Sequence, residues 1–284
     1  MTAPPTQTQQ VASLFDALAD TYDDVGVDFF RPIATSLLRA LPPAAGERWL
    51  DLGCGRGAVL LPAARAIGDD GNAVGTDLSP RMVEHTRAAA ADSGLGNVEV
   101  ILDDAQSPAL AADAFDTISS CLVLFFLPDP EAALRAWLPL LAAGGRLGVT
   151  TFGPTDPRWT HVDEVFDPFL PTAMADARTT GNQGPFGSDA TMEELLSRAG
   201  YVQPSTVTDD IAVRFADADR WYDFTWSVGQ RRMWLAVPEG ERPAVRAEAV
   251  RRLAAVADPD GSVTFSQTVR HTLARRAQTG GTRG

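Results

Sequence analysis

Asp51, Gly53, Gly55 and Gly57 stand at alternate positions at the end of the short apolar run Arg48-Trp49-Leu50-Asp51-Leu52. Glycines let a backbone approach a ligand closely, and a helix that starts just beyond them presents unpaired N–H groups. Asp77 follows about twenty positions later, where a carboxylate can accept both hydroxyls of a ribose. Glycine spacing alone also fits a dinucleotide site, with Ala58 at the sixth place. Asp51 discriminates. A carboxylate two residues before the first glycine repels a pyrophosphate and suits a cationic ligand bearing an ammonium or a sulfonium.

The surrounding pattern supplies a frame for these residues. Strands are predicted at 48–52, 73–76, 98–102, 115–122 and 146–152, with helices between them starting near 58, at Ser79-Pro80 and at Pro130. Ser79 reads as an N-cap with Pro80 at the first helical position. Strand–helix alternation implies a parallel sheet covered on both faces. The spacing of Val11, Leu14, Phe15, Leu18 and Tyr22 predicts one helix that reaches Tyr22, and a second runs from about Phe29 to Leu41. Beyond Phe152 the regularity weakens. A helix is predicted over 191–199, a sixth strand over 206–215, a long helical region over 218–256 and a last strand over 263–274.

With Asp51, Gly53, Gly55 and Gly57 in place, the chain resembles the class I S-adenosylmethionine-dependent methyltransferases, in the small-molecule branch typified by ubiquinone/menaquinone-biosynthesis enzymes. Asp77, the Asp104-Ala105 pair, the stretch from Phe115-Asp116 to Leu127-Pro128-Asp129 and the segment Leu140 to Gly145 are similar to further motifs of that family. The resemblance implies a Rossmann-like doubly wound α/β fold with a seven-stranded sheet, mostly parallel with an antiparallel last strand, plus N-terminal lid helices and a helical cap. It divides the chain into lid helices (1–45), a cofactor core (46–155), a cap insertion (156–190), a core helix and strand (191–215), a helical cap (216–260), a last strand (261–276) and a tail. It is good over residues 10–152 and weak beyond.

The implied cofactor is S-adenosyl-L-methionine, with no metal. Asp77 would hold its ribose, Leu78 would lie by the adenine, Met82 would be a further cofactor contact, and Asp104 and Ala105 would bind the adenine edge. Gly53, Cys54, Gly55 and Gly57 would form the cradle, and Asp51 would bind the cofactor through its charge. A carbonyl near Cys121 and Leu122 would take the methionine ammonium, and Tyr22 would cover the sulfonium or touch the acceptor. His161 is the best-placed candidate base, though a surface histidine fits the same position. Phe30, Phe126, Trp159, Phe186, Trp226 and Arg231 are the candidate substrate contacts. The aromatic residues of 221–234 fit a cap over an apolar substrate, or plain helix packing.

Composition narrows the partners. The net charge is −13, hydrophobic residues make up 45%, and every basic residue is arginine. Without lysine, Schiff-base chemistry and a P-loop are excluded. No basic run precedes the last fifteen residues, which counts against nucleic acid and anionic membranes. No apolar run nears the ~18 residues of a membrane span, and the first ten residues do not read as a signal peptide, so the expected location is cytoplasmic. The expected partner is a small molecule, and the N-terminal helices leave room for a homo-oligomer. The expected reaction is O- or C-methylation of an apolar, aromatic or isoprenoid-like metabolite in specialised metabolism. Two alternatives share the motifs: a nicotinamide-dependent oxidoreductase, and a methyltransferase fold that binds the cofactor without methylating, as a cyclase or scaffold.

Overall fold

The computed structural model describes residues 6–171 and 184–278. Seven strands form one sheet: β1 (Arg48–Leu52), β2 (Asn72–Asp77), β3 (Val98–Leu102), β4 (Phe115–Cys121), β5 (Leu141–Thr155), β6 (Val202–Phe215) and β7 (Val263–Arg275). Their order is β3-β2-β1-β4-β5-β7-β6. Strands β1 to β5 pair in parallel, and β7 runs antiparallel between β5 and β6. The order reverses between β1 and β4, which opens a crevice at their C-terminal ends. Trp49, Leu50, Asp51 and Leu52 of β1 are all buried, as expected of a central parallel strand covered on both faces.

Helices α1 (Gln7–Leu18), α2 (Phe30–Ala40), α3 (Leu60–Ile67), α4 (Pro80–Asp92), α5 (Pro130–Trp137), α6 (Pro157–Asp163) and α7 (Asp189–Arg198) follow in chain order. They start where local chemistry tells them to. The Ser79 hydroxyl accepts from the Met82 amide, and Asp129 accepts from Ala132, each with proline at the next position. Pro62 sits in the first turn of α3, where its missing N–H leaves no gap.

Three expectations need correction. Helix α1 stops at Leu18, and Tyr22 lies in the turn beyond it. The region 218–256 is not one helix but three: α8 (Ala218–Ser227), α9 (Arg231–Ala236) and α10 (Arg242–Val256). Gly229 and Pro238 lie at the interruptions. The fifth strand, expected over 146–152, starts at Leu141 and takes in the pair Gly144-Gly145. The pair lies in a bulge where the pairing shifts between Phe115 and Thr117.

Two apolar cores flank the sheet. The smaller joins Leu37, Trp49, Leu60, Ala64 and Val83 under α2, α3 and α4. The larger joins Leu147, Trp159, Phe166, Trp221 and Trp234, and continues from the sheet into α8 and α9. Among these apolar side chains sits a polar one, His271 of β7, 1% exposed. Its ring nitrogens meet the hydroxyls of Thr150 and Ser36, each at 2.9 Å. Burial pushes its pKa down to about 4, against an attraction from Asp209 and with the help of a repulsion from Arg39.

A histidine depressed in the fold is neutral there while the unfolded chain takes up a proton below pH ~6.5. Its contribution is therefore complete above that pH and lost as pH falls towards 4. Asp51, whose carboxyl is raised by burial, titrates with the opposite sign, so a difference between variants is the clean measurement. In urea unfolding, the stability of wild type relative to His271→Gln should fall by up to about 3 kcal/mol between pH 6.5 and pH 4.

Candidate active site

The loop after β1 turns back on itself with positive φ at its three glycines. Gly53, at φ +72°, admits no side chain, because a Cβ would lie 2.4 Å from Val123 Cγ2. Gly55 is different: a Cβ there would meet nothing within 4 Å, and this stretch of backbone lines an open cleft. The Gly55 N–H donates to Asp77 Oδ2 and the Ser79 N–H to Asp77 Oδ1, both at 2.9 Å. Burial raises the Asp77 pKa, while the amides of Ser79, Gly55 and Leu78 oppose the rise.

Asp51 lies beneath this loop rather than in the cleft. It is 2% exposed. Ser119 donates to it at 2.7 Å, and the Leu60 amide at the start of α3 donates as well. Burial pushes its pKa up to about 7. Cys54 also faces away from the cleft, packed against Gly75, and burial raises its thiol well above the usual value. Gly57 packs under Leu61 and Thr86, outside the cleft lining.

The cleft has an empty volume of about 630 Å³. Gly53, Gly55, Asp77, Asp103 and Asp104 line its polar end, with Leu78, Met82 and Ala105 alongside. Asp104 Oδ1 accepts from the Gln106 amide, and the Ala105 carbonyl accepts from the buried Trp137 indole at 2.7 Å. Asp103 is committed to the turn itself, accepting from the amides of Asp104 and Ala109. The other end is apolar and is formed by Val11, Phe15, Leu122, Val123, Phe126 and Leu127. Cys121, the last residue of β4, borders it. Leu122 holds φ +60°, a left-handed conformation that costs a non-glycine residue about 1 kcal/mol or more. Its amide donates to the Thr150 carbonyl, which fixes the bend.

The N-terminal segment closes one side. Tyr22 stacks on Phe30 at 4.5 Å and meets the edge of Phe15 at 6.0 Å. Arg56, between two of the loop glycines, donates to the Tyr22 carbonyl at 2.7 Å. Asp16 of α1 accepts from the Ser79 hydroxyl at 2.8 Å and from the Arg81 amide at 3.1 Å, so it caps the start of α4. Gln7 donates to the Phe126 carbonyl. Desolvation raises the Tyr22 hydroxyl well above its ordinary value, helped by Asp23 and Asp77.

The structure therefore brings Tyr22, Gly53, Gly55, Asp77, Leu78, Met82, Asp104, Ala105, Cys121, Leu122 and Phe126 to one cleft. Other candidates lie elsewhere. His161 is exposed on α6, bonded to Glu164 at 2.9 Å, and does not line the cleft. Trp159 is a core residue stacked on Phe265 at 5.2 Å. Phe186 is buried, 6.3 Å from Phe125. Trp226 stacks on Trp234, and the Arg231 guanidinium lies 5.8 Å from its ring and donates to the Ala17 carbonyl of α1. His85, on α4, pairs with Asp20 at 3.0 Å. Val11, Phe15, Asp103, Val123 and Leu127 also line the cleft, although they were not among the candidate site residues. Val11 and Phe15 stood on the expected N-terminal apolar stripe, and Val123 and Leu127 in the stretch from Phe115 to Asp129 that resembles the family.

Comparison with known proteins fits this geometry. The profile of the methyltransferase domain family matches residues 50–145, from β1 to the bulge of β5. The nocamycin O-methyltransferase of Saccharothrix syringae is 38% identical over 281 residues, covering 95% of this chain and 99% of that protein. The chain belongs to the S-adenosylmethionine-dependent methyltransferases, in the class I small-molecule branch. This methyltransferase is also 37% identical to an aklanonic acid methyltransferase of Streptomyces over 166 residues, 58% of this chain and 76% of that one. Among solved structures, the [4+2]-cyclase SpnF superposes with a TM-score of 0.60 at 20% identity, covering 96% of this chain and 98% of that one, which shows the shared fold. Membership supersedes the nicotinamide alternative.

Asp77 is the natural test of the polar end. Asp77→Asn removes the charge and one of two acceptors for the Gly55 and Ser79 amides. Calorimetric titration with S-adenosylhomocysteine should show affinity falling roughly 10- to 100-fold, the value of a charged hydrogen bond of ~1.5–3 kcal/mol. Unchanged affinity would exclude Asp77 from the cofactor site.

Proposed function

We propose that this methyltransferase methylates an oxygen of a small, largely apolar metabolite of specialised metabolism. The observation that carries the proposal is the end-to-end likeness to an O-methyltransferase, which extends past the cofactor core into the cap. The apolar wall of Phe15, Leu122, Val123, Phe126 and Leu127 supports it, because such a surface favours a greasy or aromatic acceptor.

The residues present fit the cofactor. Gly55 leaves open the space a side chain would fill, and Asp77 and Asp104 each retain acceptor capacity beyond their backbone bonds. In our reading Asp77 binds the ribose, Asp104 and the Ala105 amide bind the adenine edge, and Leu78 and Met82 flank the base. The bend at Leu122 offers carbonyl groups to the methionine ammonium, with Asp51 adding negative potential from below. When bound, S-adenosylmethionine supplies a methyl group already activated on a sulfonium. The protein's share is then alignment and water exclusion. Tyr22, stacked on Phe30 and held by Arg56, covers the cleft, and Phe126 sets the plane of the acceptor. Placed outside the cleft, His161 has no part in this scheme. Trp226 and Arg231 lie where the cap meets α1 and act, if on substrate, at the entrance.

Mass spectrometry of a panel of phenolic, enolic and carboxylic aromatic acceptors tests the reading. A product heavier by one methylene, with its methyl on oxygen, is the expected result. A methyl on carbon would overturn the choice of atom, and a product of unchanged mass would favour the cyclase alternative. Phe126→Ala should raise KM for the acceptor several-fold and leave the affinity for S-adenosylhomocysteine within twofold.

A further inference from the structure

Beyond the apolar end of the cleft, aromatic rings continue in an unusual order. Phe15 of α1 meets Tyr22 at 6.0 Å, Tyr22 stacks on Phe30 at 4.5 Å, and Phe30 meets the adjoining Phe29 edge-on at 4.9 Å. Phe29 reaches Phe152 of β5 at 6.4 Å, and Phe152 lies 5.4 Å from Phe125. Phe125 and Phe126, in the turn after β4, are 4.7 Å apart, and Phe126 returns to Phe15 at 5.3 Å. The contacts close a cycle of seven rings. Among the described residues no ring contact crosses it.

A second aromatic group shows plain packing. Trp159 touches Phe215, Phe224 and Phe265, Phe215 touches both other phenylalanines, and all four are buried. That group is a plug. The cycle of seven differs on both counts. Its rings do not touch across the middle, and Phe15, Tyr22, Phe30, Phe126 and Phe152 keep part of their surface exposed. Phe15, Tyr22 and Phe126 also line the cleft.

We propose that these seven rings form a collar that seats the acceptor and selects a flat, neutral aromatic ring system. The proposal rests on the reading of this cleft as the site of O-methylation, and it narrows the acceptor from greasy to planar. The collar stands in the right place. Cys121 ends β4 and pairs in register with Thr150, and Phe152 lies two residues further along β5, past that pairing. The cycle thus spans from Phe15 and Tyr22 to the end of β5, on the side of the cleft away from Asp77 and Asp104.

Selectivity follows from ring geometry. Tyr22 and Phe30 are close to parallel, at 25°, whereas Phe15 and Phe126 stand at 84° and Phe29 and Phe30 at 87°. A guest therefore meets π faces, which are negative, and ring edges, which are positive. An aromatic guest answers each with an edge or a face of its own. A cation is drawn to the faces alone, and a saturated guest gains only buried area. The collar is held through main chain. Arg56 donates to the Tyr22 carbonyl, Gln7 to the Phe126 carbonyl and the buried Arg270 to the Phe152 carbonyl at 2.8 Å. These bonds leave the rings to the guest. Phe30, Phe125 and Phe152 are then specificity-determining residues outside the cleft lining itself.

Matched probes test the collar: 1-naphthol, and decahydro-1-naphthol, its saturated counterpart on the same carbon skeleton. Each is titrated calorimetrically into the full-length protein loaded with S-adenosylhomocysteine, so that binding is read without methyl transfer. 1-Naphthol should bind roughly tenfold tighter or more. Phe152→Leu and Phe30→Leu keep the side chain apolar and remove the ring. Each should weaken 1-naphthol roughly three- to tenfold, the value of an aromatic pair, and leave decahydro-1-naphthol within about twofold. Phe152→Leu should leave the affinity for S-adenosylhomocysteine within about twofold as well, which marks the variant as folded. Equal affinity of wild type for the two probes, or equal losses on both in the variants, would make the rings packing alone and overturn the proposal. Tighter binding of phenyltrimethylammonium than of 1-naphthol would make the cycle a cation cage and overturn it too. Mass spectrometry of the same probe separates the two readings. If 1-naphthol binds with this preference but gains no methyl on oxygen, the collar stands and the O-methylation reading fails for phenols.

Discussion

Two backbone amides from different loops, those of Gly55 and Ser79, converge on the single carboxylate of Asp77. That convergence ties the turn after β1 to the turn after β2 and fixes the polar end of the cleft. The geometry around it follows. Gly55 can donate to Asp77 because its neighbours Gly53 and Gly57 accept left-handed backbone. Ser79 can donate because it also caps α4, and its hydroxyl then holds Asp16 of the N-terminal helix. Glycine loop, core helix and N-terminal helix thus share one carboxylate and one serine. The buried Asp51 repeats the device one layer down, joining the start of α3 to Ser119 of β4.

Much of this was legible in the sequence, for physical reasons. The sheet and the polar end of the cleft are written in local signals: alternation of strand and helix, glycines that need positive φ, and acids at strand ends. Asp77 was singled out by its spacing from the glycine loop, which one βα unit fixes, and Asp104 by the resemblance to the family's acid–alanine pair; both line the cleft. Legibility fails where tertiary contacts decide. Tyr22 continued the apolar stripe of α1 at helical spacing, but the helix gives way after Leu18 to a turn in which Asp23 takes φ +56°. His161 was a histidine in an irregular segment, and only packing of α6 against the cap turns it outward to Glu164. The partners of the buried His271 were invisible, because Ser36 and Thr150 are far from it in sequence and meet it only through helix packing and strand order.

The cap shows the same limit from the energetic side. Its aromatic residues were read both as a substrate cover and as packing. The structure divides them. Trp221 and Trp234 are fully buried and anchor the cap to the larger core, while Tyr222 and Trp226 remain partly exposed beside arginines. Burying a large aromatic side chain contributes roughly 1.5–3 kcal/mol, so the first pair alone is a substantial reason for the cap to stay seated.

Four anchors of the N-terminal segment share a property that its Asp16 and Asp20 contacts lack. Arg56 grips the carbonyl of Tyr22, Gln7 that of Phe126, Arg220 that of Val25 and Arg231 that of Ala17. A bond to a carbonyl does not depend on which side chain that residue carries. The inward-facing positions of the segment are thereby released from the task of holding it shut. Residues that touch an acceptor can drift, and new acceptors can be explored by mutation, while the closure itself is inherited unchanged.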